Sequence, residues 1–396
     1  MISQRQLFLQ HVGQTTDFPL QLEIERAEGI YMFDKNGKAY IDLISGVSVS
    51  NIGHLHPSVV KSVKDQVGKY MHLMVYGEYI QTPQVEFARK LTELLPQNLN
   101  SVYFVNSGSE AIEGALKLAK RYTGRSEIVS FKNAYHGSTH GALSVMGNEE
   151  FKNAFRPLLP GVKFLNFNAF EEIDLISEKT ACVLIEPVQG EAGIRIPDDS
   201  YLKKLREKCD ETGTILIFDE IQTGFGRTGN LFAFQEYNVI PDIITIAKGM
   251  GGGMPIGAFV SSNQIMSSFK TNPILGHITT FGGHPVSCAA ACASLDVLIN
   301  DKLIEGVKQK GKLFRKYLNH PEIKEIRGIG LFMAVELHNF KQVKRVIDIA
   351  IEKGLVTDWF LFHDHAFRIA PPLIINDEQI IESCAILNEA IEESTK

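Results

Sequence analysis

Two neighbouring stretches decide the fold: "GTILIFDEIQTGFGRTG" (213–229) and "DIITIAKGMGGGMP" (242–255). Each opens with an apolar run of strand length that leads to a charged residue, Asp219 in the first and Lys248 in the second. Strands that are apolar throughout are buried on both faces, as in a parallel sheet covered by helices. Ligands bind beyond the carboxyl ends of such strands, so we expect Asp219 and Lys248 to share one crevice.

Four further apolar runs of strand length precede this pair, and helical patterns separate several of them. One helix is predicted from Glu110 to about Tyr122 and ends near Gly124, and another lies in "YLKKLREKCDETG" (201–213). This alternation predicts an α/β fold with a mainly parallel sheet. The four runs are "SVYFV" (101–105), "EIVSF" (127–131), "GVKFLNF" (161–167) and "ACVLIEP" (181–187).

The two ends of the chain have a different pattern. In "GIYMFDKNGKAYIDLISG" (29–46) the turn residues "DKNGK" separate two apolar stretches, which predicts a β-hairpin. Beyond about residue 295, long helical patterns give way to short apolar stretches. We therefore expect a large domain over residues 50–294 and a smaller α+β domain built from residues 1–49 and 295–396.

Length and composition are those of a globular protein: 396 residues suit about two or three domains, and 44% are hydrophobic and 22% charged. A net charge of −6 gives no electrostatic reason to expect nucleic acid or an anionic membrane surface as a partner. Neither a secretory signal nor an apolar run of membrane-spanning length is evident. The five cysteines are an odd number and thinly spread, so we expect reduced thiols and a cytoplasmic protein.

The stretch "VYFVNSGSEAIEGALKLAK" (102–120) suggests an anion site. A strand ends, Ser107, Gly108 and Ser109 follow, and a helix starts near Glu110. Free amides at a helix N-terminus, with two hydroxyls and a glycine that permits close approach, suit a phosphate group. A serine that only caps the helix is the alternative. The chain contains no Walker A pattern, so any phosphate is held differently.

Asp219 at the end of its strand has three possible roles. The apolar run before Asp219-Glu220 resembles a Walker B strand, but it lacks a Walker A partner. "GFGRTG" (224–229) matches a dinucleotide fingerprint formally, although five residues separate it from the strand and no amphipathic helix follows. In the third role Asp219 is a buried carboxylate that pairs with a protonated ring nitrogen.

Lys248, Asp219 and a phosphate-binding helix are together the parts that a pyridoxal phosphate site needs. A lysine can condense with the cofactor's aldehyde as a Schiff base, and desolvation favours its neutral, nucleophilic amine. An aspartate beside the ring nitrogen keeps the ring charged. The glycines after Lys248 leave room for a substrate to displace the lysine.

With these motifs the chain resembles the class III (subgroup II) aminotransferases of fold type I, over nearly its whole length. The resemblance implies a large domain with a mainly parallel seven-stranded sheet and a smaller α+β domain from both termini. The set is specific for the family and much less so for the substrate. The matching motifs are "GHLHP" (53–57), "NSGSEA" (106–111), "YHGST" (135–139), "EPVQGEAG" (186–193), "FDEIQTGFGRTG" (218–229), "PDIITIAKGMGGGMPIGA" (241–258), "TTFGGHP" (279–285) and "RIAPPL" (368–373).

The resemblance also implies roles for individual residues around bound pyridoxal 5'-phosphate. Lys248 is the Schiff-base lysine and proton shuttle, and Asp219 pairs with the pyridine nitrogen. Thr280 matches a residue lent to the phosphate of the neighbouring subunit, which implies a homodimer with shared sites. The remaining cofactor residues are Ser107, Gly108 and Ser109 at the phosphate, Tyr135 stacked on the ring, Gln222 near the ring hydroxyl, and His136 and Glu186.

Glu191 and Arg368 match a switch pair of this family. An aminotransferase of this kind accepts an amine without a nearby carboxylate and then an α-keto acid in the same pocket. An arginine suits the carboxylate but penalises the first substrate if it is left bare, so a glutamate that covers it and swings away reconciles the two. A static salt bridge is the alternative.

One residue departs from the family pattern. Acetylornithine, ornithine and bacterial 4-aminobutyrate enzymes typically have an arginine after "HG", which binds a second substrate carboxylate, whereas this chain has Ser138. A serine offers no charge, and the putrescine-type enzymes also lack the arginine. Val47 stands where ornithine-specific enzymes carry a tyrosine, which argues against strict ornithine use.

We therefore expect an enzyme that moves a terminal amino group from an amine or diamino acid onto an α-keto acid, with 2-oxoglutarate as the default acceptor and pyruvate open. Another pyridoxal phosphate reaction, such as racemisation or intramolecular amino transfer, is one alternative. A nucleotide-dependent oxidoreductase or ATPase is the other. The histidine-containing stretches "HGSTH" (136–140) and "FHDH" (362–365) lack further spaced ligands, so no metal is expected.

Overall fold

The computed structural model describes residues 2–396. A seven-stranded sheet lies at its centre, and two four-stranded sheets are built from the ends of the chain. The strands are β1 (Ile24–Glu28), β2 (Tyr31–Asp34), β3 (Ala39–Asp42), β4 (Ser101–Val105), β5 (Glu127–Phe131), β6 (Val162–Leu165), β7 (Thr180–Ile185), β8 (Ile215–Asp219), β9 (Ile243–Ile246), β10 (Gly257–Ser261), β11 (Glu325–Ile329), β12 (Phe332–Glu336), β13 (Leu355–Val356), β14 (Trp359–Phe360) and β15 (His363–Ile369).

Helices pack around these sheets, and short 3₁₀ turns occur at 153–155, 170–175, 248–251 and 267–270. Within residues 2–396, none of the helices combines the length and the apolar character needed to cross a lipid bilayer. The helices are α1 (Gln4–His11), α2 (Ser45–Ser48), α3 (Pro57–Val67), α4 (Thr82–Glu93), α5 (Gly108–Thr123), α6 (His140–Ser144), α7 (Tyr201–Thr212), α8 (Phe234–Tyr237), α9 (Asn263–Met266), α10 (Pro285–Asn300), α11 (Val307–Tyr317), α12 (Phe340–Glu352) and α13 (Asp377–Ser394).

The central sheet has the strand order β4-β10-β9-β8-β7-β5-β6. β10 is antiparallel to both of its neighbours, and the other six strands share one direction. The mainly parallel seven-stranded sheet is thereby confirmed. The apolar runs located six of its strands, but β10 was missed because its short sequence "GAFVS" begins with glycine and alanine directly after the glycine-rich stretch.

Both faces of this sheet are buried, as the apolar strands require. In β8 the side chains of Leu216 and Phe218 belong to the larger hydrophobic core, whereas Ile215 and Ile217 belong to a second core on the other side. Successive side chains of a strand point to opposite faces, so an apolar residue at every position means a covered sheet on both sides.

The two predicted helices end where their glycines predict. α5 begins after Ser107, whose Oγ accepts a hydrogen bond from Glu110 N (3.2 Å), and ends at Gly124 with φ of 69°. α7 ends at Gly213 with φ of 62°. A left-handed residue favours glycine, since it has no Cβ to clash with the preceding turn.

The ends of the chain meet in one small sheet with the order β1-β2-β3-β13. β2 and β3 form the predicted hairpin, and β13, from near the C-terminus, pairs in parallel with β3 through Leu355 opposite Ile41. The second small sheet has the order β11-β12-β15-β14 and lies wholly within residues 325–369. The domain boundaries at residues 49/50 and 294/295 stay a prediction.

The "GFGRTG" loop joins the central sheet to both ends of the chain. Its Arg227 is fully buried, and its guanidinium donates hydrogen bonds to four acceptors from three other segments. A formal fingerprint for a dinucleotide thus serves here as a clasp between parts of the chain. The four acceptors are Leu331 O, Pro371 O, Ser45 Oγ and Asn51 Oδ1.

Replacing Arg227 by alanine leaves these acceptors without a donor inside the protein, so we expect Arg227→Ala to lower the free energy of unfolding by about 2–4 kcal/mol. Urea denaturation of the purified variant measures this loss. Arg345→Ala is the matched control, because Arg345 is exposed and makes no salt bridge in residues 2–396. Equal urea midpoints for Arg227→Ala and Arg345→Ala would show that the hydrogen bonds of Arg227 contribute nothing to stability.

Candidate active site

A cavity of about 440 Å³ opens at the carboxyl ends of β8 and β9, beside the start of α5. Nine of the fourteen predicted site residues line it, and the other five do not. The nine are Ser107, Gly108, Ser109, Tyr135, His136, Glu186, Asp219, Gln222 and Lys248. Asn106, Val49, Val188, Thr223, Met254 and Ile256 also line the cavity, and the sequence analysis had not selected them.

Lys248 is the first residue after β9 and its neighbour Ala247, and it opens a short 3₁₀ turn. Its φ is 47°, in the left-handed region that an L side chain rarely adopts. Burial lowers the pKa of Lys248, although the nearby carboxylates of Glu191 and Asp219 oppose that shift. The lowered pKa favours the neutral amine, which is the form that can attack a carbonyl carbon.

Asp219 ends β8 and is 4% exposed. One carboxylate oxygen lies 2.7 Å from His136 Nδ1, and the other accepts a hydrogen bond from Ile221 N (3.0 Å). These contacts fix the direction of the carboxylate towards the cavity that both residues line. Burial is tolerable because both oxygens have partners.

Two buried side-chain nitrogens of this cavity have no hydrogen-bond partner in residues 2–396: His136 Nε2 and Gln222 Nε2. Buried polar atoms are nearly always hydrogen-bonded, so unpartnered ones beside a cavity indicate the place of a polar group. A pyridine ring with a hydroxyl and an aldehyde has that character. The residues present therefore fit pyridoxal phosphate.

The start of α5 is a close-packed cradle. A Cβ on Gly108 would come within 2.9 Å of Ile221, one on Gly137 within 2.1 Å of Ser109 Oγ, and one on Gly257 within 2.3 Å of Ser107 O. Glycine is required at 257, where the contact is with backbone, and at 137, whose φ is 118°, whereas at 108 the Ile221 side chain could shift. The free amides of the sixteen-residue α5, next to the Ser107 and Ser109 hydroxyls, can bind a phosphate group.

Glu186 follows β7 and is buried at the back of the same cavity. Its carboxylate oxygens accept hydrogen bonds from Tyr135 N (3.2 Å) and Gly190 N (3.0 Å). Burial and the neighbouring Asp219 nevertheless raise the pKa of Glu186 well above its ordinary value. The raised pKa disfavours a second negative charge beside Asp219.

Glu191 and Arg368 meet, although 177 residues separate them in the chain. Arg368 Nη2 lies 3.0 and 3.1 Å from the two Glu191 oxygens, and Arg368 Nε donates to Asp358 Oδ1 (2.9 Å). Burial opposes ionisation of Glu191, but Arg368 and the amide of Leu361 hold the pKa of Glu191 below its ordinary value. The sequence analysis missed Asp358, for which no motif was available.

Three further predicted residues lie near the cavity without lining it. Val47 is part of α2, whose four residues all have positive φ, so α2 is a left-handed turn. Val49, which directly follows this turn, lines the cavity instead. Ser138 is exposed, with its hydroxyl 3.3 Å from the Tyr135 hydroxyl, and Thr280 is exposed in this single chain.

The two histidine-containing stretches serve other purposes. His136 contacts Asp219, and His363 Nε2 lies 3.0 Å from Glu336. Throughout the described chain, no three His, Cys, Asp or Glu side chains are grouped so as to hold a metal ion.

Comparisons with known proteins agree with this geometry. Residues 12–391 match the family model described as "Aminotransferase class-III". The chain belongs to the class-III aminotransferases. An acetylornithine aminotransferase of Methanopyrus kandleri is 40% identical over 389 residues, which is 97% of each chain. As class-III aminotransferases depend on pyridoxal phosphate, the chain is a pyridoxal-phosphate-dependent transaminase.

Two solved structures of this class are also similar to the aminotransferase. The ornithine aminotransferase of Toxoplasma gondii, whose structure has pyridoxal phosphate at partial occupancy in its active site, has a TM-score of 0.91 at 30% identity over 98% of this chain and 94% of its own. An adenosylmethionine-8-amino-7-oxononanoate aminotransferase of Methanocaldococcus jannaschii has a TM-score of 0.91 at 30% identity over 98% of each chain. These two aminotransferases have different names and the same TM-score, so the fold does not identify the amine substrate.

We expect Glu186→Gln to remove a pH dependence from the stability of the cofactor-free enzyme. In the wild type the raised pKa of Glu186 means that the folded chain keeps the Glu186 proton above pH 4.5, where the unfolded chain has lost it. The stability that this proton contributes is fully present below pH 4.5. It is lost as the pH rises through the pKa that Glu186 has in the folded chain.

Thermal denaturation between about pH 5 and 8 checks this, because the wild type should lose stability relative to Glu186→Gln as the pH rises. Glu178→Gln serves as the control, since Glu178 is exposed. Parallel curves for wild type and Glu186→Gln would contradict a raised pKa at this position.

Proposed function

We propose that this aminotransferase moves a terminal amino group from an amine or diamino acid to an α-keto acid. The observation that carries the proposal is one site in which Lys248 and Asp219 share a cavity while Glu191 covers Arg368. A donor without a nearby carboxylate and an acceptor with one can then use the same pocket in turn.

Pyridoxal phosphate, when bound, supplies an aldehyde for the amino group and a cationic ring that withdraws electrons from a deprotonated substrate carbon. The side chains of the chain hold and serve this group. Ser107, Gly108 and Ser109 would bind the phosphate, and Asp219 would pair with the ring nitrogen. Tyr135, His136, Glu186 and Gln222 contribute the remaining walls of the cofactor site.

Lys248 has two tasks in this proposal. Its amine, whose pKa burial lowers, would hold the cofactor covalently. The same amine would also carry a proton from the substrate carbon to the cofactor carbon.

Glu191 and Arg368 act as a switch in this proposal. During the first half-reaction Glu191 neutralises Arg368, so an uncharged part of the amine does not face a bare guanidinium. During the second half-reaction Glu191 moves away, and Arg368 binds the carboxylate of the keto acid with its fork of donors. Arg368 Nη1 has no partner among residues 2–396 and is available for that contact, while Asp358 holds Nε in place.

The donor is of the acetylornithine, ornithine or putrescine type. Relatives named acetylornithine aminotransferase support the first type. Ser138 argues for donors whose far end has no carboxylate, because a hydroxyl next to the Tyr135 hydroxyl offers no positive charge. The acceptor is 2-oxoglutarate or pyruvate, and the absence of an arginine at 138 favours the smaller acid.

We also propose a homodimer in which Thr280 of each subunit reaches the cofactor phosphate of the other. Large apolar side chains surround Thr280 and are exposed in the single chain: Ile278 by 50%, Phe281 by 53% and Ile274 by 76%. Such a patch indicates an interface. The Asn106 amide donates to Thr279 Oγ1 (3.0 Å), which links the cofactor cradle to this segment.

A cytoplasmic location completes the proposal. It is supported by the cysteines, all five of which are free thiols in residues 2–396.

Amino transfer by the purified holoenzyme tests the function. A panel of putrescine, cadaverine, ornithine, N-acetylornithine, lysine and 4-aminobutyrate with 2-oxoglutarate or pyruvate should give the amino acid of the acceptor. Borohydride reduction, digestion and peptide mapping should place the cofactor on Lys248, and Lys248→Ala should lose both the label and the activity. Label on another residue, or product without consumption of a keto acid, would refute this function.

Replacing Ser138 by arginine should raise kcat/KM about tenfold for substrates with a second carboxylate, because it adds one charge-assisted hydrogen bond. Diamines should gain nothing. Ser138→Gln is the control with similar length and no charge. Unchanged or lower kcat/KM for every dicarboxylate would contradict the role given to position 138.

A further inference from the structure

A second cavity of about 570 Å³ lies behind the loop that carries Glu191. It is mostly polar and shares no lining residue with the active-site cavity. Its walls come from the ends of β5 and β6, the 189–196 loop and the second small sheet. The residues used below are Lys132, Asn133, Gln189, Arg195, Glu325, Arg327 and His363.

Three cations line this cavity, and the carboxylates near it serve only one of them. Arg327 Nη1 pairs with Glu325 (2.9 Å) and with Glu336, which also lies 3.0 Å from His363. Lys132 and Arg195 have no carboxylate within salt-bridge distance in residues 2–396. Two of the three cations thus lack a direct carboxylate partner, and only the charges of Glu325 and Glu336 act on Arg195 and that of Glu172 on Lys132.

Arg327 also points to a missing partner. It is 8% exposed, and its Nη2 is buried without any hydrogen-bond partner in the described chain. Arg195 is half-buried, and burial together with the neighbouring Arg327 charge lowers the pKa of Arg195. Glu336 and Glu325 offset part of the repulsion between the two arginines, and an anion bound at the unpartnered Arg327 Nη2 would offset more of it.

We propose that this cavity binds a small oxyanion, a phosphate or a carboxylate, through Lys132, Arg195 and Arg327 Nη2. Guanidinium groups offer paired donors that fit both anions. Asn133, at the end of β5, adds an uncharged donor to the same wall.

The bound anion would act on the active site through the 189–195 loop. Gln189 and Arg195 exchange two backbone hydrogen bonds (3.0 and 2.9 Å), and Arg327 Nε donates to Gly193 O. Glu191 lies within this short closed loop. An anion that ties Arg195 to Arg327 holds the loop still, and, if the proposed switch is correct, it keeps Glu191 over Arg368 and weakens binding of the keto acid.

Thermal denaturation of the holoenzyme without substrates tests the binding. Inorganic phosphate and malonate are the two probes, each compared with chloride at equal ionic strength. We expect a rise in Tm of about 1–2 °C for the wild type, and the probe with the larger rise identifies the preferred anion. Arg195→Gln and Lys132→Gln should lose this rise.

Lys203→Gln is the matched control, because Lys203 is exposed and does not line the cavity. Lys203→Gln should keep the full rise in Tm. The general stabilisation of proteins by phosphate is the same in all variants, so it does not explain a difference between them. An equal rise in wild type and Arg195→Gln, or no rise with either probe, would overturn the site.

Steady-state kinetics test the coupling separately. The better probe should raise KM for the keto acid about fivefold in the wild type and leave Arg195→Gln unchanged, with KM for the amine unaffected in both. A rise in Tm without this change in KM would overturn the coupling while the binding site stands. If the purified enzyme transfers no amino group but still shows the rise in Tm, the proposed function is refuted and the anion site stands.

Discussion

A buried carboxylate and a partly buried amine at the ends of two adjacent parallel strands are the constraint on which this structure depends. β8 and β9 lie side by side with Asp219 opposite Thr245, so Asp219 and the nearby Lys248 enter one cavity. Burying either charge alone would cost several kcal/mol. His136 and an amide stabilise Asp219, burial favours neutral Lys248, and the raised pKa of Glu186 disfavours a second negative charge beside Asp219.

The two ends of the chain complete this site, and Arg227 holds them against the central sheet. From the N-terminal part comes the left-handed turn α2, a conformation that costs about 1–2 kcal/mol per residue for L-amino acids. Buried hydrogen bonds offset this cost: Asp42 accepts from the amides of Ile44 and Ser45, and the Ser45 hydroxyl donates to Ala370 O. From the C-terminal part comes Arg368, which reaches the site through the same junction.

The 189–195 loop connects two chemically different cavities. One side of it presents Glu191 to Arg368, and the other presents Arg195 to a polar cavity with unpaired cations. Since one short loop, closed by its own backbone hydrogen bonds, forms both walls, a contact on one side constrains the other. In our two proposals, the same few residues serve substrate selection and anion binding.

The sequence by itself determined the features that depend on neighbours along the chain. Apolar runs located six strands of the central sheet, and glycines at 124 and 213 ended their helices, because strand burial and helix capping are local effects. The motifs also identified nine residues of the cavity. Only the tertiary structure decided the antiparallel β10, the Arg227 clasp, the Asp358 contact to Arg368 and the second cavity. Most of these join distant segments, such as Arg227 and Ser45, which are 182 residues apart, and no local pattern records which partner a buried arginine will find.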